Sequence, residues 1–245
     1  MSRVFWTIAV VVALACPSAM GADTLIVVDL VNQNPRVGDT VFIPVMLTAE
    51  GDSIAGFSMP FLLSRPGLLE FHDDWVVRSA GTLTANWDVA DGSTFGMTSA
   101  TIAALADGNP VDGTPLPLAP GIVNQRLIDL VAFVPCVHDP FGEYNVIVQF
   151  NGPANFTDPH GQLMTPVAAH SATISVQPPH LGDIDYSGLP DLADVVWSVN
   201  CAFRGNCPGC GKMLADLDCS GEVDVVDVIL QINHVFRGGA APTCW

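Results

Sequence analysis

Short apolar or alternating segments dominate the chain from Asp23 to Val176, and turn-forming Gly, Pro, Asn and Asp residues separate them. Alternation with a period of two places successive side chains on opposite faces of a strand, so these segments predict β-structure. The predicted strands are 24–30, 40–47, 55–63, 68–71, 95–101, 127–134, 144–150 and 172–176. A series of short strands separated by turn signals favours a two-sheet β-sandwich or jelly roll.

The pattern changes to a helical period after Pro178 and Pro179, which end the β region because proline lacks the N–H that a sheet requires. Two apolar stripes follow, made of Leu192, Val195, Val196, Val199 and Phe203, and then of Val225, Val228, Ile229, Ile232 and Phe236. We expect the stripes to face one another, since neither helix can bury its apolar side alone. The predicted fold class is therefore mostly β with a small α C-terminal module.

This C-terminal region is an internal duplication. Residues 182–205 and 215–238 align without gaps at an offset of 33, and 11 of the 24 positions are identical. Each copy has aspartate at loop positions 1, 3, 9 and 12, serine at position 5 and glycine at position 6. Most of the shared residues are oxygen ligands or turn formers, which points to a ligand site and not to a merely structural repeat.

Calcium takes six to eight oxygen ligands, and a twelve-residue loop supplies them at these positions, with a backbone carbonyl at position 7 and position 9 often acting through water. The predicted ligands are Asp183, Asp185, Ser187, the carbonyl of Leu189, Asp191 and Asp194 in the first loop, and Asp216, Asp218, Ser220, the carbonyl of Glu222, Asp224 and Asp227 in the second. We expect two Ca2+ ions, and partial unfolding of this region without them, because the crowded carboxylates would repel one another.

A duplicated calcium loop followed by one helix resembles the dockerin module of bacterial cellulosome-type systems, over residues 182–239. The resemblance implies docking to a cohesin-type module through loop positions 10 and 11 and through residues further along the helices. Those residues are Leu192, Ala193, Asn200, Arg204, Val225, Val226, Asn233 and Arg237. Positions 10 and 11 are apolar here, whereas the family often has hydroxyl residues, so the type of partner stays open. Packing in the helix core is an equal alternative for Leu192 and Val225.

The β region resembles the cohesin and related carbohydrate-binding sandwiches in its opening strands at 37–47 and 54–61 and in its ending at 156–161 and 172–176. The leading hypothesis is a non-catalytic assembly protein whose partner is another chain or a second copy. A second hypothesis is polysaccharide binding, with Trp75 or Trp87 stacking on a sugar ring. The third is a small glycan-degrading enzyme, but no spacing singles out the two carboxylates that glycoside hydrolysis needs, so we predict no enzyme.

Charge narrows the choice of partner. The chain has 245 residues, with 25 Asp and Glu against 8 Lys and Arg, and a formal net charge of −17. Such a chain has no basic patch for a phosphate backbone, so nucleic-acid binding is excluded as a leading hypothesis.

The N-terminus has the order of a secretory signal: Arg3, an apolar run over 4–14, and small residues before Ala22. We therefore predict a signal peptide at 1–21, a secreted or cell-surface protein without membrane insertion after cleavage, and only a minor case for a lipoprotein form through Cys16. The remaining cysteines are Cys136, Cys201, Cys207, Cys210, Cys219 and Cys244. An even set in an exported chain favours disulfides over a zinc site, mainly within the C-terminal end, with the pairing open.

The predicted organisation is a signal peptide at 1–21, a cohesin-like sandwich at 22–177, a short proline linker at 178–181 and a dockerin-like calcium module at 182–245.

Overall fold

The computed structural model describes residues 25–72, 76–87, 89–106, 117–136, 143–165 and 167–239. The predictions made for the signal peptide, Cys16, Trp75 and Cys244 fall outside these ranges. No helix in the described ranges is long and apolar enough to cross a membrane.

Two β-sheets form from the strands of the N-terminal region. The first contains, in spatial order, β12 (Val167–His170), β1 (Ile26–Leu30), β2 (Thr40–Ala49), β8 (Ile122–Phe133) and β4 (Glu70–Phe71), and β5 (Val77–Arg78) also pairs with β8. The second contains β11 (Leu163–Met164), β10 (Asn155–Thr157), β3 (Gly56–Leu63), β7 (Ser99–Leu105) and β6 (Val89–Phe95), while β9 (Asn145–Phe150) pairs with β3 and with β13 (Ala172–Ser175). Strand β1 runs parallel to β12 and antiparallel to β2.

The two sheets share one core, which makes this region a β-sandwich. Alternate residues of β2, from Val41 to Ala49, are buried, and so are Phe57, Met59, Phe61 and Leu63 on β3. Side chains from both sheets belong to the same buried cluster. The period-two pattern thus predicted the β-sandwich correctly, because alternate residues of β2 and β3 pack against the shared core.

The segment 95–101, predicted as one strand, instead contains the end of β6, a three-residue hairpin turn and the start of β7. Strand β6 ends at Phe95 and β7 begins at Ser99, and Gly96 and Met97 have φ of 62° and 59°. The short strands β5, β10, β11 and β12 were not predicted, because two to four residues are too few to show a period.

Two long helices and one short helix follow the sheets: α1 (Leu192–Arg204), α2 (Gly211–Ala215) and α3 (Val225–Arg237). Helices α1 and α3 begin at capping boxes formed by Asp191 with Asp194 and by Asp224 with Asp227. They end at Gly205 and Gly238, which adopt the left-handed conformation that terminates helices. The apolar stripes therefore predicted both long helices, whereas α2 has too few residues to show a period.

Disulfides form as predicted, but not only within the C-terminal end. Cys201 pairs with Cys207, whereas Cys136 of the sandwich pairs with Cys210 beside α2. Cys219 is also disulfide-bonded. The prediction that the disulfides mainly cross-link the C-terminal end was therefore wrong for Cys136, whose disulfide joins the sandwich to the helical region. Cys207 and Cys210 belong to different disulfides, so they are not paired thiolates for a zinc ion.

Candidate metal centre and exposed helix face

The first loop gathers three carboxylates at one point. Oxygens of Asp183, Asp185 and Asp194 lie within 4.8 Å of one another. The chain turns there because Asp183 Oδ2 accepts a hydrogen bond from the Gly188 N–H at 2.9 Å and Asp185 Oδ1 accepts one from the Ser187 N–H at 2.9 Å. Gly188 has φ of 112°, which suits glycine at loop position 6.

Asp194 is fully buried and Asp183 is nearly so, whereas Asp185 is exposed. Its Oδ1 accepts hydrogen bonds from the N–H groups of Ile184 at 2.7 Å and Asp185 at 3.1 Å, and its Oδ2 accepts one from the N–H of Asp191 at 2.8 Å. Burial raises the pKa of the Asp194 carboxyl, and these N–H donors oppose the shift. A buried carboxylate beside two others is an environment that a divalent cation would stabilise.

The second loop repeats this geometry residue by residue. Oxygens of Asp216, Asp218 and Asp227 also lie within 4.8 Å of one another. Asp227 Oδ1 accepts hydrogen bonds from the N–H groups of Leu217 at 2.7 Å and Asp218 at 3.1 Å, and its Oδ2 accepts one from the N–H of Asp224 at 2.8 Å. The distances match those of the first loop. The duplication in sequence is therefore a duplication in structure.

The other predicted ligands lie close by in two groups. The Ser187 hydroxyl donates to the Leu189 carbonyl at 3.2 Å, and the equivalent Ser220 hydroxyl donates to the Glu222 carbonyl at 3.1 Å. These groups lie side by side on the loops, as positions 5 and 7 of one site would.

The aspartates at loop position 9 cap the helices and do not belong to the carboxylate clusters. Asp191 and Asp224 cap the helices by accepting hydrogen bonds from the N–H groups of Ala193 and Val226. Both lie outside the three-carboxylate clusters. Each loop therefore offers an all-oxygen donor set that fits calcium, and the residue at position 9 of such loops often binds the ion through water.

The apolar stripes do not face one another as predicted. The buried residues of α1 are Asp194, Val195, Ser198 and Cys201, and those of α3 are Asp227, Val228 and Gln231. Eight of the ten stripe residues are instead exposed, and they form four pairs of equivalent positions in the two repeats. The pairs are Leu192 and Val225, Val196 and Ile229, Val199 and Ile232, and Phe203 and Phe236. We call these eight residues the exposed helix face.

The residues implied to bind a partner lie on or beside this face. Leu192 is 59% exposed and Val225 is 50% exposed, so their alternative interpretation as helix-core residues was wrong. Ala193, Arg204, Val226 and Arg237 are exposed, and Asn200 and Asn233 are half-buried. All eight therefore lie on helices α1 and α3, in two sets related by the repeat.

Sequence reasoning missed Gln231. It is fully buried, and its Nε2 donates to the Gly182 carbonyl at 2.6 Å, which joins α3 to the residue before the first loop. The equivalent residue in α1 is Ser198, which is also buried. A polar residue at the same buried position of both helices was the signal that could have found this contact.

The sandwich does not support Trp87 as a sugar-stacking residue. Trp87 is only 8% exposed, and its ring lies 5.8 Å from the ring of Phe57, measured between centroids. The prediction that Trp87 lies on a solvent-facing rim was therefore wrong.

Comparison with known proteins gives structural likeness only. No family model matches the chain, and no curated protein matches it. Similar solved structures include a novel type I cohesin–dockerin complex from Clostridium thermocellum, with 16% identity, 64% of this chain and 97% of the matched chain covered, and a TM-score of 0.46. A non-cellulosomal cohesin from Archaeoglobus fulgidus is 17% identical, with 64% of this chain and 92% of the matched chain covered and a TM-score of 0.41. A type I cohesin from Pseudobacteroides cellulosolvens is 11% identical, with 63% of this chain and 93% of the matched chain covered and a TM-score of 0.44.

Proposed function

We propose that the chain is an exported, non-catalytic protein that binds a protein partner in a calcium-dependent way. One observation carries the proposal: two equivalent loops each gather three carboxylates, and each loop leads into a helix that exposes apolar side chains at equivalent positions. Export is proposed from the signal-peptide pattern at residues 1–21.

Calcium would act here by organising structure. Asp194 and Asp227 are at once loop carboxylates and capping residues of α1 and α3. An ion held by either loop would neutralise the carboxylates and fix the first turn of the helix that follows. The ion thereby sets the position of the exposed helix face.

The partner that best fits this face is a protein module of the cohesin type. Eight apolar side chains on two adjacent helices form a contact surface for another apolar protein surface, and uncharged residues at the centre of a contact are typical of protein interfaces. The resemblance to dockerins supports the same class of partner. The sandwich is proposed to be a cohesin-like receptor domain, which makes a second copy of this chain a candidate partner. Polysaccharide binding through Trp87 is not proposed, because that ring is buried.

The test is a binding measurement with the full mature chain. Surface plasmon resonance against purified type I cohesin modules, and against a second copy of the chain, should give binding in calcium that is lost in EGTA. The double variant Val196→Asp with Ile229→Asp should lose binding, because both side chains are more than half exposed on the face. Leu163 is an exposed apolar residue on strand β11 of the sandwich, away from this face. The matched control variant Leu163→Asp should therefore still bind the cohesin module. Equal binding in calcium and EGTA, or no binding to any of these partners, would contradict the proposal.

A further inference from the structure

The first loop, unlike the second, is packed onto the sandwich. Tyr186 at loop position 4 has φ of 60°, and its ring packs against the core cluster of the sandwich. Its hydroxyl is buried and faces the backbone of Cys210 without a hydrogen bond of normal geometry. The equivalent residue of the second loop, Cys219, has nearly the same φ of 58° but is exposed. In the described part of the chain, the residue at position 4 therefore packs against the sandwich core in the first repeat, whereas its counterpart in the second repeat does not.

A disulfide lies at this contact. Cys136 and Cys210 join the sandwich to the segment between the repeats, with 5.2 Å between their Cα atoms. Gly38 of the sandwich has φ of +83°, and a Cβ at that position would lie 2.9 Å from Cys210 Sγ and 3.9 Å from the Tyr186 hydroxyl. The Gly38 N–H donates to the Val134 carbonyl at 2.8 Å, which holds this backbone in the sandwich. The sandwich, the disulfide and the first loop thus meet at one point.

The connection between the two regions is short and fixed at both ends. The Gln177 N–H donates to the Pro35 carbonyl at 2.7 Å, and its side-chain oxygen accepts from Arg36 Nε at 3.3 Å. At the other end the Gly182 N–H donates to the Leu214 carbonyl at 2.9 Å. The residues between include two prolines, which stiffen the chain. The predicted linker is therefore a stiff connection that hydrogen bonds hold at both ends.

Loop residues of the two repeats meet the sandwich differently. A crevice of about 220 Å³ separates Arg36 from Asp183, next to the contact made by Tyr186. On the other side, a crevice of about 320 Å³ separates the Cys136–Cys210 disulfide from Asp216 of the second loop. Among the described residues, none of the second loop belongs to the sandwich core cluster or is partly buried against it. The two loops have equal carboxylate geometry but unequal contact with the sandwich.

We propose that the sandwich and the first loop form one cooperative folding unit, so that calcium bound at the first loop stabilises the sandwich and calcium bound at the second loop does not. This inference rests on the calcium sites of the proposed function and adds a coupling between domains. A ligand that binds only the folded form of a cooperative unit lowers the unfolded fraction by a factor of 1 + [L]/Kd. A further consequence is that the exposed helix face keeps a fixed orientation relative to the sandwich.

The test is hydrogen exchange of the full mature chain, with its disulfides intact, read at strands β2 and β3 in the core. Amides that exchange only through global unfolding report the stability of their folding unit. At a calcium concentration about 100 times Kd, their exchange should slow up to roughly 100-fold relative to EGTA. The matched variants are Asp183→Ala and Asp216→Ala, which remove loop position 1 from one site each. We expect the slowing to persist in Asp216→Ala and to disappear in Asp183→Ala.

A third variant tests the contact itself. Tyr186→Asn removes the ring, while asparagine tolerates the left-handed backbone conformation of this position. It should still bind two calcium ions by titration calorimetry but lose most of the slowing at β2 and β3. Full slowing in Tyr186→Asn, equal effects of the two aspartate variants, or no response of the wild-type core to calcium would overturn the inference. If calorimetry then counts two ions in the wild type, only the coupling between the domains is refuted and the proposed calcium sites stand. If it counts none, the proposed function itself is refuted.

Discussion

Truncation of the exposed helix face should remove partner binding and leave the fold intact. Phe203 is 67% exposed and Phe236 is 59% exposed. Full burial of a Phe side chain contributes about 1.5–3 kcal/mol, so burial of the exposed fractions by a partner is worth about 1–2 kcal/mol for each ring. The double variant Phe203→Ala with Phe236→Ala should therefore weaken binding by about 2–4 kcal/mol, or roughly 30- to 700-fold in Kd.

The same variant should change the free energy of unfolding by less than about 1 kcal/mol, because substitutions at exposed positions have small effects. The assays are surface plasmon resonance in calcium and urea unfolding of the full chain. The control is Val195→Ala with Val228→Ala, where both side chains are buried. That pair should lower stability by roughly 1–3 kcal/mol for each residue through lost packing. Binding by the Phe variant within threefold of wild type would refute our assignment of the face.

Three more predictions follow from single residues. Asp129→Ala removes a buried carboxylate that accepts hydrogen bonds from two partly exposed arginines, so urea unfolding should give a loss of roughly 1–3 kcal/mol. Gly188→Ala places a side chain at φ of +112° in open space, and this backbone cost of about 1–2 kcal/mol should weaken calcium binding at the first loop by roughly 5- to 30-fold in calorimetry. Burial raises the pKa of the Tyr186 phenol above 10.0. Its contribution to stability is therefore fully present below about pH 10 and is lost as the pH rises through the raised pKa, which denaturant unfolding at high pH measures.

Each of these predictions has its own control. Glu143→Ala breaks an ion pair whose carboxylate is largely exposed, and it should cost less than about 1 kcal/mol; an equal loss would contradict the account of Asp129. Gly67→Ala has similar backbone strain, at φ of +94°, in the sandwich, and it should not change calcium binding. Tyr186→Phe should remove the loss of stability attributed to the phenol at high pH, and an unchanged pH profile would contradict that assignment.

The sequence was informative where a pattern repeats within a few residues. The spacing of Asp183, Asp185 and Asp194 is local, so it predicted which carboxylates the fold brings together, and the copy at an offset of 33 gave the same answer independently. The alternation along β2 and β3 likewise predicted a sandwich, since burial on one face of a strand follows directly from a period of two.

The sequence was less informative where distant segments meet. A helical stripe reports which side of a helix is apolar but not whether another element of the chain covers it, so Phe203 and Phe236 were expected inside and lie outside. The pairing of Cys136 with Cys210 joins residues 74 positions apart, and no local spacing encodes it. The burial of Tyr186 depends on the same long-range contact.

The most direct test of the account is a calorimetric calcium titration of the full mature chain. We predict two bound ions for the wild type, one for Asp183→Ala, one for Asp216→Ala and none for the double variant. Helix formation followed by circular dichroism in the same titration should parallel the number of ions bound. Calcium binding by the double variant that equals the wild type, or a wild type that binds no calcium, would contradict the assignment of the two loops as calcium sites.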